Sequence, residues 1–515
     1  MADFPWLTTI GLVPLVGSVL IAAMPTGRDE LAKRIALAFS GCTLALVIVM
    51  AAGFETDSAE LFQFTEVYAW IPAFGVSYAV GVDGIALVLI ALTAVLTPVC
   101  VLASWHDADP AAQSGPAPRP VKTFFALLLV LETLIVGTFA ATDVFLFYVF
   151  FEAVLIPIYF IIGSYGGPQR SYAAVKFLIY SLLGGLLMLA ALVGLGIASP
   201  GGEQAFLFEN LLGLDLDPTL EKALFLGFFS AFAIKAPLWP MHTWLPDAAA
   251  QSPPGGAVLL VGVLDKIGTF GMIRLCLPLF PDASRFFTPL VIVACLVGII
   301  YGALVAIGQI DIMRLIAYTS ISHFGFITLG IFAMTTQGQT GATLYMVNHG
   351  FSTAGLFLVA GFLTTRRGSH LIADYGGVQK VAPVLAGSFL IAGLSSLALP
   401  GLSSFISEFL VLVGTYIRYP VAAVIATVGI VLAAVYILLM YQRMMHGPVR
   451  AGNEHFADLS TREIAVMAPV LAIIVVLGVY PKPVLDVINP AVAATMESIG
   501  ERDPAPVVPT AGGTP

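Results

Sequence analysis

The sequence predicts an all-α integral membrane protein of about fourteen transmembrane helices, and three observations carry that prediction. Of 515 residues, 59% are hydrophobic and only 10% are charged, against about 25% charged in soluble domains, and the mean hydropathy is +0.97. Fourteen stretches approach the roughly 20 apolar residues that a helix needs to cross a bilayer. The Lys and Arg residues between those stretches divide unevenly between the two sides. Fifty glycines suit such a bundle: apolar side chains gain little by leaving lipid for one another, so membrane helices associate through close backbone approach at small residues.

In order, stretches 6–24, 33–54 and 79–104 form an N-terminal group within residues 1–122. The opening MADFPW has no basic n-region, so the first stretch is expected to be a retained helix and not a cleaved signal. Stretches 123–141, 144–163, 176–198, 222–250 and 255–279 make a first five-helix unit, residues 123–279. Stretches 286–309, 311–334, 341–364, 382–416 and 420–442 make a second, residues 280–442. Stretch 462–480 and an acidic tail rich in Pro and Gly fill residues 443–515. The tail is expected to be a flexible or partner-bound extension.

Two spans are too long and are interrupted. The seventh reads AFAIKAPLWPMHTWLPDAA, with Pro237, Pro240 and Pro246, and the twelfth reads SLALPGLSSFISEFL, with Pro400 and Gly401. Proline removes an amide donor and clashes with the preceding turn, so both are expected to be discontinuous helices, which membranes tolerate only where protein or a wet cavity satisfies the freed backbone. Each is the fourth member of its five-helix unit. That placement is the pattern of an inverted repeat with its ion site near the breaks, although the halves share almost no residue identity.

With fourteen spans, thirteen Lys and Arg residues fall in the loops of one side. Five fall on the other, Lys222, Arg285, Arg418, Lys482 and Arg502. The basic side is cytoplasmic by the positive-inside rule, which places both termini on the non-cytoplasmic side of a bacterial cell membrane. The remaining four, Lys176, Lys235, Lys266 and Arg274, fall inside spans. An ionisable side chain near the bilayer centre costs at least about 2.5–3.5 kcal/mol, so several along one path need a reason.

Glu132, in LLLVLETLIV, and Glu152, in FYVFFEAVLIPIYF, each lie ten residues from the turn at Thr142. Both are expected about 15 Å deep, near the middle of a core about 30 Å thick. They read as proton-handling groups, or else as partners of a salt bridge to a neighbouring subunit, whereas Asp143 at the turn is expected to be solvated. Lys235 immediately precedes the first break. There burial disfavours its charge and an approaching carboxylate favours it, so a switchable Glu152–Lys235 ion pair is expected, with a static pair as the other reading.

Lys266, mid-span in GVLDKIGTFGMIR, is the candidate for the next proton site, with Asp265 turned about 100° away on the helix. Glu408, in FISEFL after the second break, is a candidate terminal acceptor. His323, in TSISHFGFITLG, and His349, in MVNHGFSTAGLFL, flank one short loop and are expected within about 5 Å in depth. Histidine relays protons near neutral pH, and is also a common hydrogen-bonding core residue. His242 in the broken seventh span is a weaker relay candidate. Lys176 reads equally as functional or as snorkelling to the interface, and Arg274 as snorkelling.

Other chemistries find no support. The net charge of −9 and pI near 5.2 argue against nucleic acid. Cys42, Cys100, Cys276 and Cys295 are isolated in apolar runs, with no CxxC pair and no His at ligand spacing, so no metal or iron–sulfur site is indicated. No P-loop and no GxGxxG following a strand occurs.

The strings FYVFFEAVLIPIYF, AFAIKAPLWPMHTWLPDA, DIMRLIAYTSISHFGFI, NHGFSTAGLFL and FISEFL together resemble the antiporter-like membrane subunits of complex I, NADH:quinone oxidoreductase. Those subunits are in turn similar to large subunits of multi-subunit cation/proton antiporters. The resemblance runs from about residue 79 to about residue 445. NHGFSTAGLFL, the LET around Glu132 and the absence of a long C-terminal extension look most like the M type. The resemblance implies a fourteen-helix subunit that translocates protons while distant subunits oxidise NADH, with no cofactor of its own, flavin and iron–sulfur clusters in partner subunits, and L-type and N-type chains and lipid as neighbours. It also implies a central pair at Glu152 and Lys235, a hydrated axis through Lys266, His323 and His349, and an end at Glu408. The chain departs from the family pattern at Ala249, where His is frequent, at Asp265, where an apolar residue is frequent, and at Met313, where Lys is frequent. A stand-alone cation/proton antiporter subunit and the membrane subunit of a proton-pumping hydrogenase are the alternatives, and a passive scaffold is the weakest.

Overall fold

A computed structural model of the chain describes residues 4–58, 60–111 and 119–504; most of the acidic tail, 505–515, lies outside the described residues. The chain begins with α1 (Trp6–Ala23) and α2 (Asp29–Ala52), then a hairpin of β1 (Gln63–Ile71) and β2 (Val76–Val82), then α3 (Gly84–Ala103). The first unit follows as α4 (Val121–Ala140), α5 (Val144–Tyr165), α6 (Arg170–Ala198), α7 (Pro218–Lys235), α8 (Trp244–Gln251) and α9 (Pro254–Leu279). The second is α10 (Pro281–Ile307), α11 (Ile312–Phe332), α12 (Thr336–Arg367), α13 (Pro383–Ser396), α14 (Ser403–Arg418) and α15 (Pro420–Met445); α16 (Thr461–Val479) and α17 (Lys482–Ser498) close the described chain.

Among the described residues twelve helices are long and apolar enough to cross a membrane. The pairs α7/α8 and α13/α14 are the two interrupted spans, which brings the number of crossings to the fourteen expected. Each crossing reverses direction, so a unit of five spans followed by another enters the membrane from the opposite side. In both units the long third member, α6 or α12, packs on both halves of the broken span.

The breaks fall where the prolines place them. The α7 helix stops at Lys235, and the indole Nε1 of Trp244 in α8 donates to the Ile234 carbonyl at 2.9 Å, satisfying an acceptor that a continuous helix would have used internally. At the second break the hydroxyls of Ser395 and Ser403 meet at 3.1 Å, and Asn348 Nδ2 donates to the Ser403 carbonyl at 2.6 Å.

The hairpin and α17 were not expected, because neither is apolar enough to register as a span. The strands pair antiparallel, with Tyr68 opposite Tyr78, and Glu66 accepts from the Leu7 amide at 2.8 Å and the Thr8 amide at 3.2 Å, donors that the start of α1 leaves unpaired. The α17 helix lies across α3 and α12, and Glu501 beyond it ties Arg285 at 2.8 Å to Arg418 at 2.5 Å. Burial works against the charge on Glu501, but those two guanidinium groups hold its carboxyl below the usual range.

Two charged residues sit differently from expectation. Asp143 is fully buried. Its Oδ1 caps α5 by accepting the Phe145 and Leu146 amides at 2.9 Å, and Oδ2 accepts the Ser77 amide of β2 at 2.9 Å; a carboxylate satisfied by three amides has no need of solvent. Arg274 does not snorkel. Its Nη2 pairs with Asp83 at 2.7 Å and its guanidinium lies over the rings of Phe62, Phe270 and Phe208.

At the centre stand α9, α11 and α12, whose apolar windows are 100%, 94% and 100% buried, whereas α1, α2, α6, α10, α15 and α16 turn most of their windows outward.

Candidate proton path

The central helices carry the candidate residues. The α9 helix contains two widened, π-type turns, at Leu260–Leu264 and Met272–Cys276, and the first delivers the chain to Asp265 and Lys266. Such turns recur at functional sites because the extra residue re-aims side chains and loosens the carbonyl ladder. Lys266 is fully buried; its Nζ donates to the Val261 carbonyl at 2.5 Å and meets His349 Nδ1 at 2.7 Å.

Beyond His349 the polar groups continue without reaching the surface. The rings of His349 and His323 stand edge to face with centroids 5.3 Å apart. His323 Nε2 is 3.3 Å from the Tyr436 hydroxyl, its ring lies 5.8 Å from that of Tyr345, and the Tyr345 hydroxyl donates to Glu408 Oε2 at 2.7 Å. None of these side chains is more than 5% exposed. His349 Nε2 and His323 Nδ1 have no protein partner. Buried polar atoms of this kind are costly unless satisfied, and each ring keeps one nitrogen free to take or give a proton. Tyr345 and Tyr436 were missed from the sequence: a tyrosine in an apolar span looks like any other aromatic, and only the fold brings their hydroxyls to His323 and Glu408.

Lys235 and Glu152, expected as a switchable pair, are not in direct contact here. Among the described residues Lys235 Nζ makes no ion pair with a carboxylate. The amine donates to the Phe151 carbonyl at 3.3 Å and sits 4.4 Å from the centroid of the Phe151 ring. Glu152 instead leans on α6, where a Cβ placed on Gly185 would lie 1.8 Å from its Oε1; glycine there makes room for the carboxyl. The two groups remain electrostatic neighbours, an open arrangement of the expected pair.

Glu132 shares neither neighbour. It lies against Thr97 of α3, whose hydroxyl is already committed to the Thr93 carbonyl at 2.9 Å, so both carboxyl oxygens are without a hydrogen bond. His242, in the turn between α7 and α8, stacks edge-on with Tyr301 at 5.2 Å and has neither ring nitrogen partnered. Lys176 pairs with Asp247 Oδ2 at 2.7 Å, and Arg314 with Asp247 Oδ1 at 2.6 Å, so Lys176 is one arm of a triad near the surface. Among the described residues no group of three or more His, Cys, Asp or Glu side chains is placed to hold a metal ion.

Comparison with known proteins bears on this geometry. The family described as NADH:quinone oxidoreductase/Mrp antiporter, TM matches residues 141–433, which contain every residue of the path except Glu132 and Tyr436. NADH-quinone oxidoreductase subunit M of Mycobacterium tuberculosis (strain ATCC 25618 / H37Rv) is 55% identical over 536 aligned residues, covering 99% of this chain and 97% of that one. A chain of respiratory complex I from Thermus thermophilus superposes with a TM-score of 0.86 at 31% identity, over 96% of this chain and 100% of the other. A chain of the Mrp complex from Dietzia sp. DQ12-45-1b shares the fold, with a TM-score of 0.83 at 20% identity, over 96% and 98%. The chain therefore belongs to the family of membrane subunits common to NADH:quinone oxidoreductases and Mrp antiporters, on its subunit M branch.

Proposed function

We propose that this chain is a proton-translocating subunit of the membrane arm of an NADH:quinone oxidoreductase, embedded in a bacterial cell membrane with both termini on the non-cytoplasmic side. The observation that carries the reading is the buried run from Lys266 through His349, His323 and Tyr345 to Glu408. Ionisable groups of this number have no purely structural use at the middle of a membrane subunit, where each is costly. Lys235 and Glu152 form the loading end: when the two approach, the ammonium is favoured, and when they part, burial favours the neutral amine and the proton moves on toward Lys266. His242 and Glu132, each buried and unpartnered, are side stations of the same path. Flavin and iron–sulfur chemistry belongs to partner subunits, and L-type and N-type chains are the expected neighbours.

Lys235→Ala tests this in membrane vesicles containing the assembled complex: NADH-driven proton uptake is expected to fall by about tenfold or more, with the amount of complex unchanged. Parental pumping by an assembled variant would remove Lys235 from the path. Sodium-dependent proton exchange in vesicles with no dehydrogenase would move the assignment to the Mrp side of the family. Reporter fusions at the two ends check the orientation, which fails if either end proves cytoplasmic.

A further inference from the structure

One buried acid is not accounted for by this path. Asp265 is fully buried and neither of its oxygens has a hydrogen-bond partner, a costly state that calls for a reason. Its position supplies one. The α9 helix presses Gly268 against the end of α7, where a Cβ would lie 2.5 Å from the Phe232 carbonyl oxygen and 2.6 Å from the Ala236 amide nitrogen. That contact brackets Lys235. Asp265 is three residues before Gly268, hence on the same face of α9 one turn away. Lys266, about 100° further round, turns to His349 on α12. The charged groups that act on Asp265 are Lys266 from its own helix and Lys235 from α7. Lys235 is likewise influenced by Asp265 as well as by Glu152.

We propose that Asp265 is a proton-accepting residue between Lys235 and Lys266, through which the proton crosses from the first half of the polar path to the second. This rests on the reading of the chain as a proton translocator. In the first step an N–H bond of the Lys235 ammonium breaks and an O–H bond forms on Asp265, leaving a neutral amine and a neutral acid. In the second the acid gives the same proton to neutral Lys266, regenerating the carboxylate beside a new ammonium, which already faces His349. No charge is created or lost. The carboxylate gives the proton a station between the two amines, and its negative charge favours the ammonium at whichever lysine holds the proton.

The test uses vesicles containing the whole complex. D265N keeps shape and polarity but has no proton-accepting carboxylate, and is expected to lower NADH-driven proton uptake by about tenfold or more at an unchanged amount of complex, while D265E restores most of it. A fixed counter-ion would stay ionised throughout, so infrared difference spectra between resting and turning-over complex decide the role. The protonated-carboxyl stretch that appears on turnover is expected to shift when aspartate is labelled with 13C in its carboxyl group, and to lose a component in D265N. Parental pumping by D265N, or a turnover spectrum with no such aspartate band, overturns the proposal. If D265N does not assemble, D265S takes its place, and the spectrum of the labelled parent complex still decides between relay and fixed counter-ion. Parent vesicles that oxidise NADH without taking up protons would sink the functional reading itself, a different result from any of these.

Discussion

Replacing Lys266 by alanine is expected to stop proton delivery to His349 and to lower NADH-driven proton uptake by about tenfold or more, without loss of the assembled complex. The reason is contact: Lys266 Nζ touches His349 Nδ1 at 2.7 Å, and nothing else in the described structure brings a titratable group so close to that ring. The informative companion is Lys266→Arg. Arginine preserves a cation but does not release its proton in a protein, so a relay fails in both variants, whereas a static positive charge survives in the arginine one. Pumping that persists in Lys266→Arg and is lost in Lys266→Ala would assign the lysine an electrostatic role and take it off the path. Vesicle proton uptake, normalised to the amount of complex, makes the measurement.

The second large effect concerns stability. Asp83→Ala removes the partner of Arg274 and, in the same atom group, the cap of α3, since Asp83 Oδ1 accepts the Ala86 amide at 2.8 Å. Leaving a buried charge unpaired costs about 3–5 kcal/mol, and a lost N-cap adds about 1 kcal/mol. The guanidinium is left among Phe62, Phe208 and Phe270, whose ring faces recover part of that cost. The melting temperature of the detergent-extracted complex is expected to fall, or the subunit not to accumulate. Asp83→Asn, which can still accept the Ala86 amide, is expected to be milder. Asp83→Ala combined with Arg274→Met is expected to recover much of the loss, because the buried charge is gone from both sides. An unchanged melting temperature in Asp83→Ala would show that the pair contributes nothing.

Most of the architecture was legible because a membrane imposes a length and a composition on each crossing, and prolines mark the breaks. What escaped was whatever is polar or short: the hairpin, and α17, whose stretch Lys482–Ser498 contains no run apolar enough to cross. Among the candidate residues, Lys266, His349, His323 and Glu408 could be named from the sequence because ionisable groups are rare in spans. Their partners could not. Tyr345 and Tyr436 enter the path through hydroxyl positions that only the packing of α11, α12, α14 and α15 fixes. Asp143 and Arg274 depart from expectation for a common cause: a charge near a span end looks bound for solvent until a partner is found, and their partners are Ser77, more than sixty residues earlier, and Asp83, almost two hundred earlier. The Glu152–Lys235 pair was expected to be switchable, and what the sequence did not show is that Gly185 gives Glu152 a place apart from the lysine.

The complete enclosure of α12 has a consequence for how the chain is made. A helix carrying Gln339, Asn348 and His349 in its buried positions is poorly suited to wait in lipid, because each such group in hydrocarbon costs free energy until another polar group meets it. Some of what receives it, α3 and α9, is already synthesised when α12 emerges, but α14 and α16 come later in the chain and form other walls of its enclosure. Insertion of this helix therefore cannot be completed in the order of synthesis. It must remain with the insertion machinery, or against the earlier helices on one side only, until the second broken span arrives to close it in.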